Sequence, residues 1–89
     1  MPSIHFAQPM IKIMSVNEST KMALIRGIYK KNTKMNYPIV ECSDGFVVFE
    51  CIDAETNRYY GGKVKFRVKL DDNGNIPTDK LVPYEMVII

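Results

Sequence analysis

This chain has little of what most enzymes work with. Its 89 residues hold one histidine, His5, and two cysteines. No serine or cysteine has a sequence neighbour that marks it as an activated nucleophile. Cys42 and Cys51 stand nine positions apart, unlike the close pairs of zinc sites, and His5 brings the possible ligands to three at most. Gly61-Gly62-Lys63 has neither the preceding glycine spacing nor the following Ser/Thr of a phosphate loop. Asp71-Asn73-Asn75 opens like a calcium loop, but Ile76 occupies the glycine position and Val82 the bidentate glutamate position. A non-enzymatic protein without metal or cofactor is therefore expected.

Long apolar runs are also missing, and none approaches the roughly 20 residues a membrane-spanning helix needs. The opening Met1-Pro2-Ser3-Ile4-His5-Phe6 lacks the charged-then-apolar layout of a signal peptide. The cysteines are expected as buried free thiols. Together these features suggest a soluble cytoplasmic protein, in a host cytoplasm if its origin is viral. Repeats and low-complexity tracts are absent, so residues 1–89 are expected to form a single compact domain. Nine lysines to three arginines, with ten isoleucines, match the residue usage of AT-rich genomes, including many phages.

The most distinctive stretch runs from Lys63 to Leu70, where four cations alternate with four apolar residues. Alternation of period two marks a half-buried strand with one apolar face and one cationic face. Cations two residues apart on a strand lie about 6.7 Å from each other. They repel by roughly 0.6 kcal/mol per neighbouring pair in water, before salt screening. Either acids of the same protein or an anionic partner should offset this cost.

The rest of the pattern predicts an α+β fold, one helix packed on a mostly antiparallel four- to five-stranded sheet. Met10 to Met14 reads as a first strand. Ser15 and Glu18 match a capping box that would start a helix running to Lys31, with a strand from Met22 to Tyr29 as the alternative. Asp44-Gly45 predicts a tight hairpin between strands 36–42 and 46–53, placing Cys42 opposite Val47. Ala54–Asn57 reads as a four-residue loop, Gly61-Gly62 as a bulge, and 84–89 as a last strand. This register sets Cys51 against Tyr60, Phe49 against Gly62 and Val47 against Val64. Val40, Cys42, Val47, Phe49, Cys51, Val64, Phe66, Val68 and Leu70 then line the core.

Phe46, Val48, Glu50, Ile52, Tyr59, Lys63, Lys65, Arg67 and Lys69 fall on the opposite face. Charge along the chain comes in blocks. Residues 1–36 carry six cations and one acid, 37–57 five acids, 58–70 five cations, and 71–89 four acids and one cation. The acidic hairpin should lie beside the basic strand, with Glu50 and Glu41 as counterions. A mixed face of this kind suits an acidic protein surface better than a bare polyanion. Phe46, Ile52, Tyr59, Tyr60, Lys63, Lys65, Arg67 and Lys69 are the candidate binding residues, with Lys30, Lys31 and Lys34 as a second basic group. The expected function is that of a small inhibitor or adaptor of phage type acting by occupancy. The alternative is a nucleic-acid or phosphorylated-nucleotide module using the same residues. Tyr84 to Ile89 is expected to be either a core strand or an edge through which two copies pair.

Overall fold

In the computed structural model, which describes residues 10–28 and 32–87, the expected α+β arrangement gives way to a mostly β protein. Its strands are β1 (Met10–Asn17), β2 (Met22–Arg26), β3 (Lys34–Ser43), β4 (Phe46–Glu50), β5 (Lys65–Lys69), β6 (Leu81–Pro83) and β7 (Glu85–Val87). One helix, α1 (Ala54–Tyr59), lies between β4 and β5. All pairings are antiparallel, in the order β6-β1-β2-β3-β4-β5-β7. Only Tyr84 separates β6 from β7. The segment Leu81–Val87 thus pairs with β1 at one end and β5 at the other, nearly closing the sheet into a barrel. The last strand expected at 84–89 is seen as β7, and Ile88 and Ile89 lie outside the described residues.

Over residues 15–26 the β1–β2 hairpin stands where a helix was expected to run from Ser15 to Lys31, in line with the strand alternative from Met22; Tyr29, Lys30 and Lys31 lie outside the described residues. Asn17 rather than Ser15 organises the turn, its side-chain oxygen accepting hydrogen bonds from the Ser19 and Thr20 amides. Lys21 takes φ 57, reversing the chain. In β2 the apolar residues then sort with period two: Ala23 and Ile25 are buried, while Met22, Leu24 and Arg26 are half-buried. Gly27, at φ 108, stops the strand in a conformation that a helix interior excludes. The broad apolar stripe that suggested a helix is a strand with both faces partly covered.

The Asp44-Gly45 hairpin forms as expected, with Cys42 opposite Val47 and positive φ at both turn residues (55 and 81). β3 serves both halves of the barrel. Met22 to Arg26 pair with Lys34 to Pro38, and β4 pairs with Ile39 and Glu41 to Ser43, on either side of a bulge at Val40. Such a bulge bends a strand and increases its twist, which lets one strand turn the corner. It also explains a correction: Val40, expected in the core, is displaced from its place opposite Phe49 and exposed. Cys42, also expected in the core, keeps its place opposite Val47 but is exposed next to the hairpin turn.

The β4–β5 register also differs from expectation. Val47 faces Val68, Phe49 faces Phe66 and Glu50 faces Lys65. Against the expected pairing this is a slip of four residues, because 54–59 fold into α1 instead of a loop. An even slip leaves every side chain on its own face. Val47, Phe49, Cys51, Val64, Phe66 and Val68 are accordingly buried, joined by Ile11, Ile13, Ala23, Ile25 and Tyr37. Phe66 is the hub, stacked on Phe49 at 5.1 Å and edge-on to Tyr37 at 5.2 Å and Tyr84 at 6.0 Å.

Candidate functional site

The cationic strand behaves as its alternation demands, with Val64, Phe66 and Val68 inside and Lys65, Arg67 and Lys69 outside. Adjacent strands complete the outer face: Phe46 opposes Lys69, Val48 opposes Arg67, and Glu85 opposes Arg67 from the other side. Arg67 is held on two sides. Its Nε and Nη2 donate to Glu85 Oε1 at 3.0 and 2.9 Å, and its guanidinium carbon sits 4.1 Å from the Phe46 ring centre. An aromatic face attracts a cation in this position, so Phe46 and Glu85 together fix the guanidinium. The counterion comes from the C-terminal strand; Glu50 stands across from Lys65, and neither it nor Glu41 forms an ion pair with the stripe. Among the described residues Lys63, Lys65 and Lys69 have no carboxylate within 4 Å.

Two grooves border the Phe46–Arg67 ridge. One, of about 300 Å³, runs between Asp44, Phe46, Lys65 and Val87. The other, of about 310 Å³, lies between Lys69, Pro83 and Glu85. Ile52, 47 % exposed, follows the end of β4.

Tyr59 and Tyr60 do not join the stripe. They end α1, packed edge-to-face at 4.9 Å, and with Ile28, Thr56, Tyr84 and Met86 they line a separate cavity of about 280 Å³. Tyr59 is 82 % exposed. Lys63 is exposed beyond Gly61-Gly62, and Lys34 belongs to the other half of the barrel, where it pairs with Arg26 in β2. Lys30 and Lys31 lie outside the described residues.

A third cluster escaped the sequence reading. Asp53 caps α1, its Oδ2 accepting from the Thr56 amide at 3.0 Å. Its Oδ1 accepts from the Tyr37 hydroxyl at 3.3 Å and the Cys51 thiol at 3.4 Å. Burial alone would raise the carboxyl, but the hydrogen bonds from Thr56 and Cys51 outweigh it and hold Asp53 below its ordinary value. Burial, and then the Asp53 charge, push the Cys51 thiol up to about 12 and raise Tyr37 as well. Cys51 is thus a neutral donor rather than a nucleophile, and the cluster joins α1 to the barrel wall. Its sequence signal was the Asp-x-x-Thr spacing of an N-cap, hidden within a segment read as strand and loop.

The second overlooked feature is a row of cations across β1, β2 and β3, where Lys12 faces Arg26 and Arg26 faces Lys34. Reading 15–31 as a helix separated these residues. Among the described residues no three His, Cys, Asp or Glu side chains gather as a metal site, and no helix is long and apolar enough to cross a membrane. Compared with protein-family models, curated proteins and solved structures, the chain has no significant match in any of the three.

Proposed function

We propose that this protein acts by binding, without catalysis, and that the outer face of β4, β5 and β7 contacts an acidic surface of a partner protein. The observation behind this reading is the immobilised Arg67. Its side chain is 39 % exposed, with Phe46 beneath it and Glu85 beside it. A guanidinium fixed in advance loses little freedom when it meets a carboxylate, the property expected of an interface anchor. Half-buried Phe46 supplies apolar area, and Lys65 and Lys69 supply charge for steering. Glu85, Glu50 and Glu41 lie among these cations and would repel a polyphosphate chain. That favours a folded protein over nucleic acid. Two free cysteines, Cys42 exposed and Cys51 buried, support a cytoplasmic setting. Small size and a rigid barrel fit an inhibitor or adaptor.

The test is affinity capture with the whole chain, with and without nuclease, comparing wild type, Arg67→Ala, Lys65→Glu and Tyr59→Ala. A specific partner retained after nuclease, and lost on Arg67→Ala and Lys65→Glu, supports the reading. Binding that nuclease abolishes, or that falls steeply between about 50 and 200 mM salt, favours nucleic acid instead. Capture lost only on Tyr59→Ala moves the interface to the tyrosine cavity.

A further inference from the structure

The outer face formed by β1, β2, residues 34–38 of β3 and β6 carries cations and, among the described residues of these stretches, no acid. Lys12, Arg26 and Lys34 stand side by side on three neighbouring strands. Among the described residues none of them has a carboxylate within 4 Å. Like charges directly across a sheet oppose its formation, so this row calls for an external anion more plainly than the β5 stripe does, whose middle cation has Glu85. Apolar residues flank the row on β1, β2 and β6, where Leu81 faces Lys12, Met10 faces Pro83, and Leu24 and Met22 follow Arg26 along β2, while Asn36 follows Lys34 on β3. Leu81 is 60 % exposed and Met10 44 %.

We propose that this face docks an acidic amphipathic α-helix of a partner protein. Three carboxylates along one side of that helix would meet Lys12, Arg26 and Lys34, and its apolar residues would cover Met10, Leu24 and Leu81. Spacing selects the helix. Strands lie about 4.7–4.9 Å apart, so the row spans about 9.6 Å. Helical positions i, i+4 and i+7 span about 10.5 Å, whereas one face of a strand from i to i+4 spans about 13.4 Å and overshoots by nearly 4 Å. Flexible methionine and leucine side chains adapt to a helix laid across them. The described residues of this face include no aromatic ring on which a nucleic-acid base could stack. A second copy does not supply the helix from its described residues, since α1 has only six residues and cannot carry both i and i+7.

The experiment titrates the full isotope-labelled chain with a synthetic helical peptide carrying Glu at i, i+4 and i+7 beside leucines. A peptide of the same composition with Glu at i, i+2 and i+4 is the comparison. Phosphatidylserine vesicles and an oligothymidylate are separate arms. The first peptide should bind about tenfold tighter than the second, with NMR shifts centred on Lys12, Arg26 and Lys34. Arg26→Glu and Lys12→Glu should each weaken it about tenfold, while Lys65→Glu leaves it within about twofold. Arg26→Glu also alternates the charges along the row, so its unfolding midpoint should rise; Arg26→Gln replaces it if that variant does not fold. Equal affinity for the two peptides, binding only to vesicles or oligonucleotide, or equal losses on Lys65→Glu and Arg26→Glu would overturn the proposal.

Discussion

Replacing Asp53 tests whether the buried carboxylate ties α1 to the barrel. In Asp53→Ala the helix loses its cap, a change costing about 0.5–2 kcal/mol. The buried Tyr37 hydroxyl keeps only a 3.6 Å contact to Met35 sulfur, and an under-satisfied buried donor costs a further 1–3 kcal/mol or so. The expected loss is about 2–4 kcal/mol, lowering the midpoint by about 4–8 °C for each kcal/mol in a domain of this size. Urea unfolding followed by far-UV circular dichroism and tyrosine fluorescence suits a chain without tryptophan. Asp53→Asn keeps a capping oxygen and should cost less. The pH dependence is the sharper readout. Because the folded carboxyl sits below its ordinary 3.8, its stabilisation is present above that pH and disappears as the pH falls through the folded value. The gap between wild type and Asp53→Asn should therefore narrow below about pH 4. A cost under about 0.5 kcal/mol for Asp53→Ala, or a gap independent of pH, would refute the argument.

Other outcomes follow from the same contacts. Phe66→Ala removes the hub of three ring contacts and should cost about 3–5 kcal/mol in urea unfolding, far more than Phe46→Ala. Glu85→Gln should change stability by only about 0.2–1 kcal/mol, as a partly exposed ion pair, yet weaken partner capture measurably by releasing Arg67. Iodoacetamide followed by mass spectrometry should label exposed Cys42 quickly and Cys51 only on unfolding, since its thiol is buried and raised to about 12. Gly45→Ala, at φ 81, should destabilise by about 1 kcal/mol or more by thermal melting.

Local signals with a single physical reading were legible in the sequence. Asp44-Gly45 fixed its own hairpin, because positive φ at two successive residues has few other solutions. The 63–70 alternation gave its two faces correctly, and those faces survived a wrong register because the slip was even. The 15–31 segment misled because Met22, Leu24, Ile25 and Ile28 satisfy a helical stripe as well as a strand covered on both sides. Its outcome depended on Asn17 and Gly27, one holding the turn and the other ending the strand. Pairing across β1, β2 and β3 was out of reach for the same reason, so the Lys12–Arg26–Lys34 row stayed hidden. Glu85 as the partner of Arg67 was equally inaccessible, since eighteen positions separate them and only the closing strand brings them together.

That closing strand also bears on how the protein is made. Pairing of Met10 with Pro83 and of Lys65 with Val87 means that no nascent chain shorter than one reaching Val87 completes the wall. Until then β1 and β5 each expose an open edge, the state most prone to pairing with a neighbouring chain. The pairing of Met10 with Pro83 is the sheet's longest-range contact, and a contact of such sequence separation predicts slow folding for so small a domain. The vulnerable interval ends when Tyr84, between the two half-strands, docks against Phe66.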